Sequence, residues 1–230
     1  MAGSGIDMDA YLEERLALFG QRALSTSATV KNSYLLAEKC ITENVAGDFV
    51  ECGVFCGTQV AAMALANQVH KAGRKIHLFD SFQGIPQAGP NDGDDIKACI
   101  GEGEGKLITT GVSASTVDAV KGHMAGWQID PCSLVYHPGW FQDTLPTDVM
   151  QLGDRGIALL RLDGDLYEST KVCLTYLHPL VPCGGYVIVD DYGLSGCQKA
   201  VFDYFLSMRQ QPEINIIKDG NGGVWYRKDW

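Results

Sequence analysis

The chain of 230 residues is 46% hydrophobic and 20% charged, enough apolar mass for one domain with a sizeable core. Its 28 acidic against 18 basic residues give a formal net charge of −10, which argues against charge-driven binding to nucleic acid or an anionic membrane and points to small-molecule partners. No stretch approaches the roughly 20 apolar residues of a membrane span, and Met1-Ala2-Gly3-Ser4-Gly5 lacks the marks of a secretory signal, so no membrane association and a cytoplasmic location are expected. The cysteines at 40, 52, 56, 99, 132, 173, 183 and 197 form no CxxC pair, so reduced thiols are expected, with Cys52 and Cys56 as core residues.

Residues 8–24 space Tyr11, Leu12, Leu16, Leu18, Phe19 and Leu24 as a helical stripe, and a second helix is predicted over 31–43. Together residues 1–46 read as an N-terminal helical cap on a core spanning 47–230 of the same domain. Residues 49–54 read as a buried strand and Thr58–Val69 as the helix after it. Further short apolar runs cover 76–79, 133–137, 156–162 and 185–189, and three of them end on Asp80, Asp163 and Asp190. Helical stretches at 169–177 and 197–208 alternate with the last of these, as right-handed crossovers between parallel strands require. The tail, 214–217 and 224–226 around a Gly-rich turn, reads as two strands joined antiparallel. The expected fold class is therefore α/β, a Rossmann-like and mainly parallel seven-stranded sheet with an antiparallel last strand, the class I methyltransferase layout.

In such a sheet the chemistry gathers at the carboxyl ends of the strands. After the first strand, Glu51-Cys52-Gly53-Val54-Phe55-Cys56-Gly57 offers two glycines for a tight turn before a helix. Asp80 ends the next strand at about the offset where a carboxylate meets ribose hydroxyls. The turn lacks the G-x-G-x-x-G that holds a pyrophosphate, and Glu51 would repel one, so NAD fits poorly. S-adenosylmethionine fits better, with a ribose diol for Asp80 and an ammonium for Glu51. Trp140 and Phe141 are candidates to wall the adenine.

The second cluster is Asp163-Gly164-Asp165 with Glu168 after one strand and Asp190-Asp191 after the next. Carboxylates at that density ionise together around a cation, and oxygen-only ligands imply a hard one, Mg2+ first. His137 is a candidate second base on the same rim. Residues 88–106, Gly-rich and acidic, read as a mobile lid or acceptor loop, and residues 31–34 as a segment that closes over the cofactor.

The segments FVECGVFCGTQ, HLFDSFQGIP, PGWFQDTLP, LLRLDGDLYEST and GGYVIVDDY resemble, in this order, the macrocin O-methyltransferase family over roughly residues 30–225. The resemblance implies a Mg2+-requiring methyltransferase that uses S-adenosylmethionine on a hydroxylated small-molecule acceptor, and often a homo-oligomer. It also implies that Asp163, Asp190 and Asp191 hold the metal and that Glu51, Asp80 and Ser81 contact the cofactor, whose site Gly53, Gly57 and Trp140 join on the reading of the turn and the aromatics above. The general base would be Asp165, with Asp163 the other candidate. Two alternatives are a catechol-type methyltransferase, which needs a lysine base where Lys171 is nearest, and a SAM-binding module without turnover.

Overall fold

The computed structural model describes residues 7–19, 24–218 and 220–230. Helices α1 (Met8–Phe19) and α2 (Ser27–Thr42) precede β1 (Asp48–Cys52), α3 (Thr58–Val69) and β2 (Ile76–Asp80). Then come α4 (Asp94–Ile100), α5 (Val117–Gly126), β3 (Leu134–Pro138), α6 (Phe141–Asp148), β4 (Ile157–Leu162) and α7 (Tyr167–Leu177). The order closes with β5 (Tyr186–Val189), α8 (Ser195–Met208), β6 (Asn215–Ile216) and β7 (Val224–Arg227).

The strands form one seven-stranded sheet in the order β3-β2-β1-β4-β5-β7-β6. Strands β1 to β5 pair in parallel and β7 runs antiparallel to β5, as the alternating pattern and the tail predict. Every residue of β1, β4 and β5 is buried, which is why these strands read as continuous apolar runs and not as alternating ones. Apolar side chains of α2, α3 and α5 cover one face, and those of α6, α7 and α8 cover the other. Because the order reverses between β1 and β4, a crevice opens at their carboxyl ends.

The helical cap differs from its prediction. Leu12 is buried in the core, but Leu18 and Leu24 are exposed, and residues 20–23 of the predicted first helix lie outside the described residues. Helix α2 begins four residues early because Thr26 caps it: its hydroxyl accepts from the Thr29 N–H, and the Thr29 hydroxyl accepts from the Thr26 N–H. Residues 31–34, expected to close over the cofactor, lie within this helix, with Ser33 and Tyr34 buried. The segment 88–106, expected as a mobile loop, contains α4. None of the eight cysteines is paired, and Cys52 is buried as expected.

Candidate active site

The site is organised around an arginine. Arg161 is the parallel-register partner of Glu51 on β1, so the two side chains leave the same face of the sheet. Its guanidinium is fully buried, with Nη1 donating to Glu51 Oε1 and Asp163 Oδ2, each at 2.7 Å, and Nη2 paired with Asp190 Oδ1 at 2.6 Å. Burial opposes its charge, but Asp190, Asp163 and Glu51 together hold its proton affinity above the ordinary guanidinium value. The planar fork suits three acceptors at once, which a lysine cannot match.

Glu51 is itself buried, and only one of its oxygens is satisfied within the protein: Oε2 has no hydrogen-bond partner, and the residue is among those lining the cavity. Burial pushes its pKa up to about 8 against the pull of Arg161, with Asp163 and Asp190 adding to the rise. An unsatisfied, nearly isolated carboxylate oxygen at a cavity wall is suited to a cationic ligand group.

The turn after β1 is built on Gly53, at φ +87°, where a side chain would collide with the main-chain oxygen of Asp163. Glycine thus lets the first turn touch the acidic one. Gly57, at φ +88°, is the N-cap of α3. Asp80 pins this turn, because its Oδ2 accepts from the N–H groups of Val54 at 2.6 Å and Phe55 at 3.0 Å, and its Oδ1 from Phe82 at 2.6 Å. The neighbouring Ser81 hydroxyl donates to the Gly84 carbonyl. Asp80 therefore both shapes the turn and faces the cavity.

At the acidic turns, Asp165 adopts φ +58° and its N–H donates to Asp191 Oδ2 at 2.8 Å, tying the two turns together. Carboxylate oxygens of Asp163, Asp165 and Asp191 all lie within 4.8 Å of one another, a grouping able to hold a metal ion. The expected trio was Asp163, Asp190 and Asp191. Of these, Asp163 and Asp191 converge together with Asp165, while Asp190 Oδ1 pairs with Arg161. Burial, then repulsion from Asp163 and Asp190, pushes Asp165 up to about 7, while burial outweighs Arg161 to put Asp190 at about 6. Asp191 is raised well above its ordinary value by burial and by Asp165. Such crowding is relieved by a bound cation, so the residues fit a hard divalent metal.

Glu51, Gly53, Asp80, Ser81, Trp140, Asp163, Asp165, Asp190 and Asp191 all line one cavity, with about 950 Å³ of space including its open mouth. Phe55, Phe141 and Gln142 add to its wall, and Leu24 and Ser25 reach it from the N-terminal segment. Gln59 joins the cap to the cavity, accepting from the Ser33 hydroxyl at 2.7 Å and donating to the Thr29 hydroxyl at 2.9 Å. Four expectations fall outside: Gly57, which starts α3 without lining the cavity, the exposed Glu168, His137, and the segment 88–106. His137 is buried against Phe79 and bonded to His77 and Asp148, away from the cavity, so it is no second base on the rim. Lys171 is exposed over the Tyr167 ring, and no residue of 88–106 lines the cavity. The roles of Arg161 and Gln59 are not apparent in the sequence, since their partners lie 110 and about 30 residues away.

Residues 23–228 match the family model described as macrocin-O-methyltransferase (TylF). The demethyldecarbamoylnovobiocin O-methyltransferase of Streptomyces niveus is 36% identical over 203 residues, covering 86% of this chain and 72% of the relative. The mycinamicin III 3''-O-methyltransferase of Micromonospora griseorubida is 29% identical, covering 83% and 72%. The solved structure of the O-methyltransferase NovP superposes with a TM-score of 0.80 at 29% identity, over 97% of this chain and all of that one. TomG from Streptomyces achromogenes, solved in complex with SAM, shares the fold at a TM-score of 0.57 and 15% identity, over 97% of this chain and 91% of that one. With its methyltransferase sheet and its glycine and acidic turns on one cavity, the chain belongs to the macrocin O-methyltransferase (TylF) family, and is a SAM-dependent O-methyltransferase.

Proposed function

We propose that the enzyme methylates a sugar hydroxyl of a natural-product glycoside and requires a divalent cation, Mg2+ first. The observation that carries the reading is the convergence of Asp163, Asp165 and Asp191 on the same cavity as the Gly53 turn and the unsatisfied Glu51 oxygen. A relative's name supports the sugar: the 8-demethyl-8-(2,3-dimethoxy-alpha-L-rhamnosyl)-tetracenomycin-C 4'-O-methyltransferase of Streptomyces olivaceus, 33% identical, takes a rhamnosyl substrate.

S-adenosylmethionine supplies an electrophilic sulfonium methyl. Glu51, with Oε2 left without a partner, would receive its ammonium, and a cation there would favour the charged carboxylate despite burial. Asp80 has accepting capacity left on Oδ1 for a ribose hydroxyl, while Trp140 and Phe141 wall the cavity against water. At the acidic end, Asp163 and Asp191 would hold the cation, with Asp190 beside them on its Arg161 tether. A hard cation there supplies charge stabilisation to a hydroxyl losing its proton. Asp165, whose carboxylate meets those of Asp163 and Asp191 at the cavity, is placed to accept that proton. Holding the hydroxyl in line with the methyl contributes about 7–11 kcal/mol of the barrier reduction. Lys171 is exposed outside the cavity, so a lysine base of the catechol type has no support.

Calorimetry on the purified protein tests the cofactor half of the reading. S-adenosylmethionine should bind and NAD should not, and Asp80→Ala should weaken binding by about 1–3 kcal/mol, since it removes an acceptor and loosens the turn. Equal affinity in wild type and variant would remove Asp80 from the site, and preferential NAD binding would sink the cofactor assignment.

A further inference from the structure

Helices α7 and α8 start just after the two acidic turns, and neither caps itself. Their N-cap residues are Leu166 and Leu194, which make no side-chain cap bond. The acceptors come from the distant segment around α4. The Tyr167 N–H donates to Asp92 Oδ1 at 2.7 Å, and Asp92 Oδ2 accepts from the Gly89 N–H at 2.8 Å. The Ser195 N–H donates to Asp95 Oδ2 at 2.7 Å, and its hydroxyl to Asp95 Oδ1 at 3.0 Å. Each carboxylate also places negative charge at a helix N-terminus, where the dipole favours it.

Packing agrees with the hydrogen bonds. Ile96 and Ile100 of α4 join Ile85 and the two N-cap leucines, Leu166 and Leu194, in a small apolar cluster separate from the main core. Two glycines permit the close approach: a side chain at Gly93 would collide with the Ser195 hydroxyl, and one at Gly196 with Asp92 Oδ1. Residues 85–100, part of the connection after β2, thus form a clasp onto the segments that follow β4 and β5, which carry Asp163, Asp165, Asp190 and Asp191.

We infer that Asp92 and Asp95 are positioning residues for methyl transfer: by capping α7 and α8 from outside, they hold the Asp163–Asp165 and Asp190-Asp191 turns in register. The inference rests on the proposed role of those turns. Neither residue lines the cavity. What they fix is the relative placement of two helices whose preceding turns meet through the bond from the Asp165 N–H to Asp191 Oδ2. The cofactor end, built on the turns after β1 and β2, does not depend on the caps, so their loss should reach turnover and leave cofactor affinity intact.

The test combines amide exchange followed by NMR with steady-state kinetics on Asp92→Ala, Asp95→Ala and Asp95→Asn. Asp92→Ala should speed exchange at Tyr167, and Asp95→Ala at Ser195, by about 2–30-fold, the usual worth of a cap. Each alanine variant should lower kcat with the SAM dissociation constant unchanged, and Asp95→Asn, which keeps an acceptor for the Ser195 N–H, should recover kcat. Asp95 is exposed, so its variants report even if the buried Asp92→Ala fails to fold. Wild-type kcat in Asp95→Ala overturns the inference, as does unchanged exchange at Ser195 or a parallel fall in kcat and SAM affinity. The exchange measurement needs neither cofactor nor acceptor, so a wild-type protein without transferase activity would refute the proposed function while still reading the caps.

Discussion

Replacing Asp165 with asparagine should lower kcat by about 10²–10⁴-fold, the usual contribution of a positioned general base. The reason is local. Asp165 sits one glycine beyond Asp163, in a left-handed backbone conformation, and its carboxylate meets those of Asp163 and Asp191. Burial and its acidic neighbours raise its proton affinity above that of an ordinary carboxylate, which favours its taking up a proton. Asp163→Asn should fail differently, by weakening cation binding, with partial recovery at high Mg2+. Raising the pH should restore some turnover to Asp165→Asn, because hydroxide then replaces the missing base. If metal titration instead shows that Asp165→Asn loses Mg2+ and Asp163→Asn retains it, the two roles must be exchanged.

Arg161→Met should destabilise the fold by about 3–5 kcal/mol, the range for stripping one partner from a buried ion pair. For a chain of this size that is a drop in Tm of roughly 6–20 °C. Three carboxylates lose their shared cation, and Glu51 is left buried with both oxygens unsatisfied. The loss should depend on pH in a definite direction. Without Arg161 the folded pKa values of Glu51 and Asp190, already about 8 and 6, rise further above their unfolded values. A raised carboxylate costs nothing below its unfolded pKa and destabilises progressively up to its folded one, so the deficit against wild type should be small near pH 5, open above about pH 6 for Asp190 and grow again above about pH 8 for Glu51. Arg161→Lys keeps a charge but not the fork and should fall between. Thermal melts near pH 5 and pH 8 check this, and a variant within about 2 °C of wild type at pH 8 would show that Arg161 does not hold the site together.

The strand ends were legible because parallel strands buried on both faces leave apolar runs that stop abruptly at polar residues. Asp80, Asp163 and Asp190 each mark such a stop, and all three reach the cavity. Legibility failed where a partner is distant or a local signal is contradictory. Helix α6 contains Pro146, whose missing N–H argues against a helix, and α4 hides between Gly93 and Gly101 despite its acidic first turn. Arg161 reads as an ordinary strand residue until the register sets it beside Glu51. Nothing near Leu166 or Leu194 in sequence announces that their helices are capped from residues 92 and 95.

The central claim, a cation-dependent transfer of methyl from S-adenosylmethionine to a sugar hydroxyl, is tested most directly by S-adenosylhomocysteine release. Chelator-treated enzyme would be assayed with demethylated glycosides such as demethyldecarbamoylnovobiocin, before and after Mg2+ is restored. The account predicts no release after chelation and full release once Mg2+ returns, with methylation on the sugar. Full release in excess chelator, or none from any glycoside with Mg2+ present while SAM still binds, would contradict it.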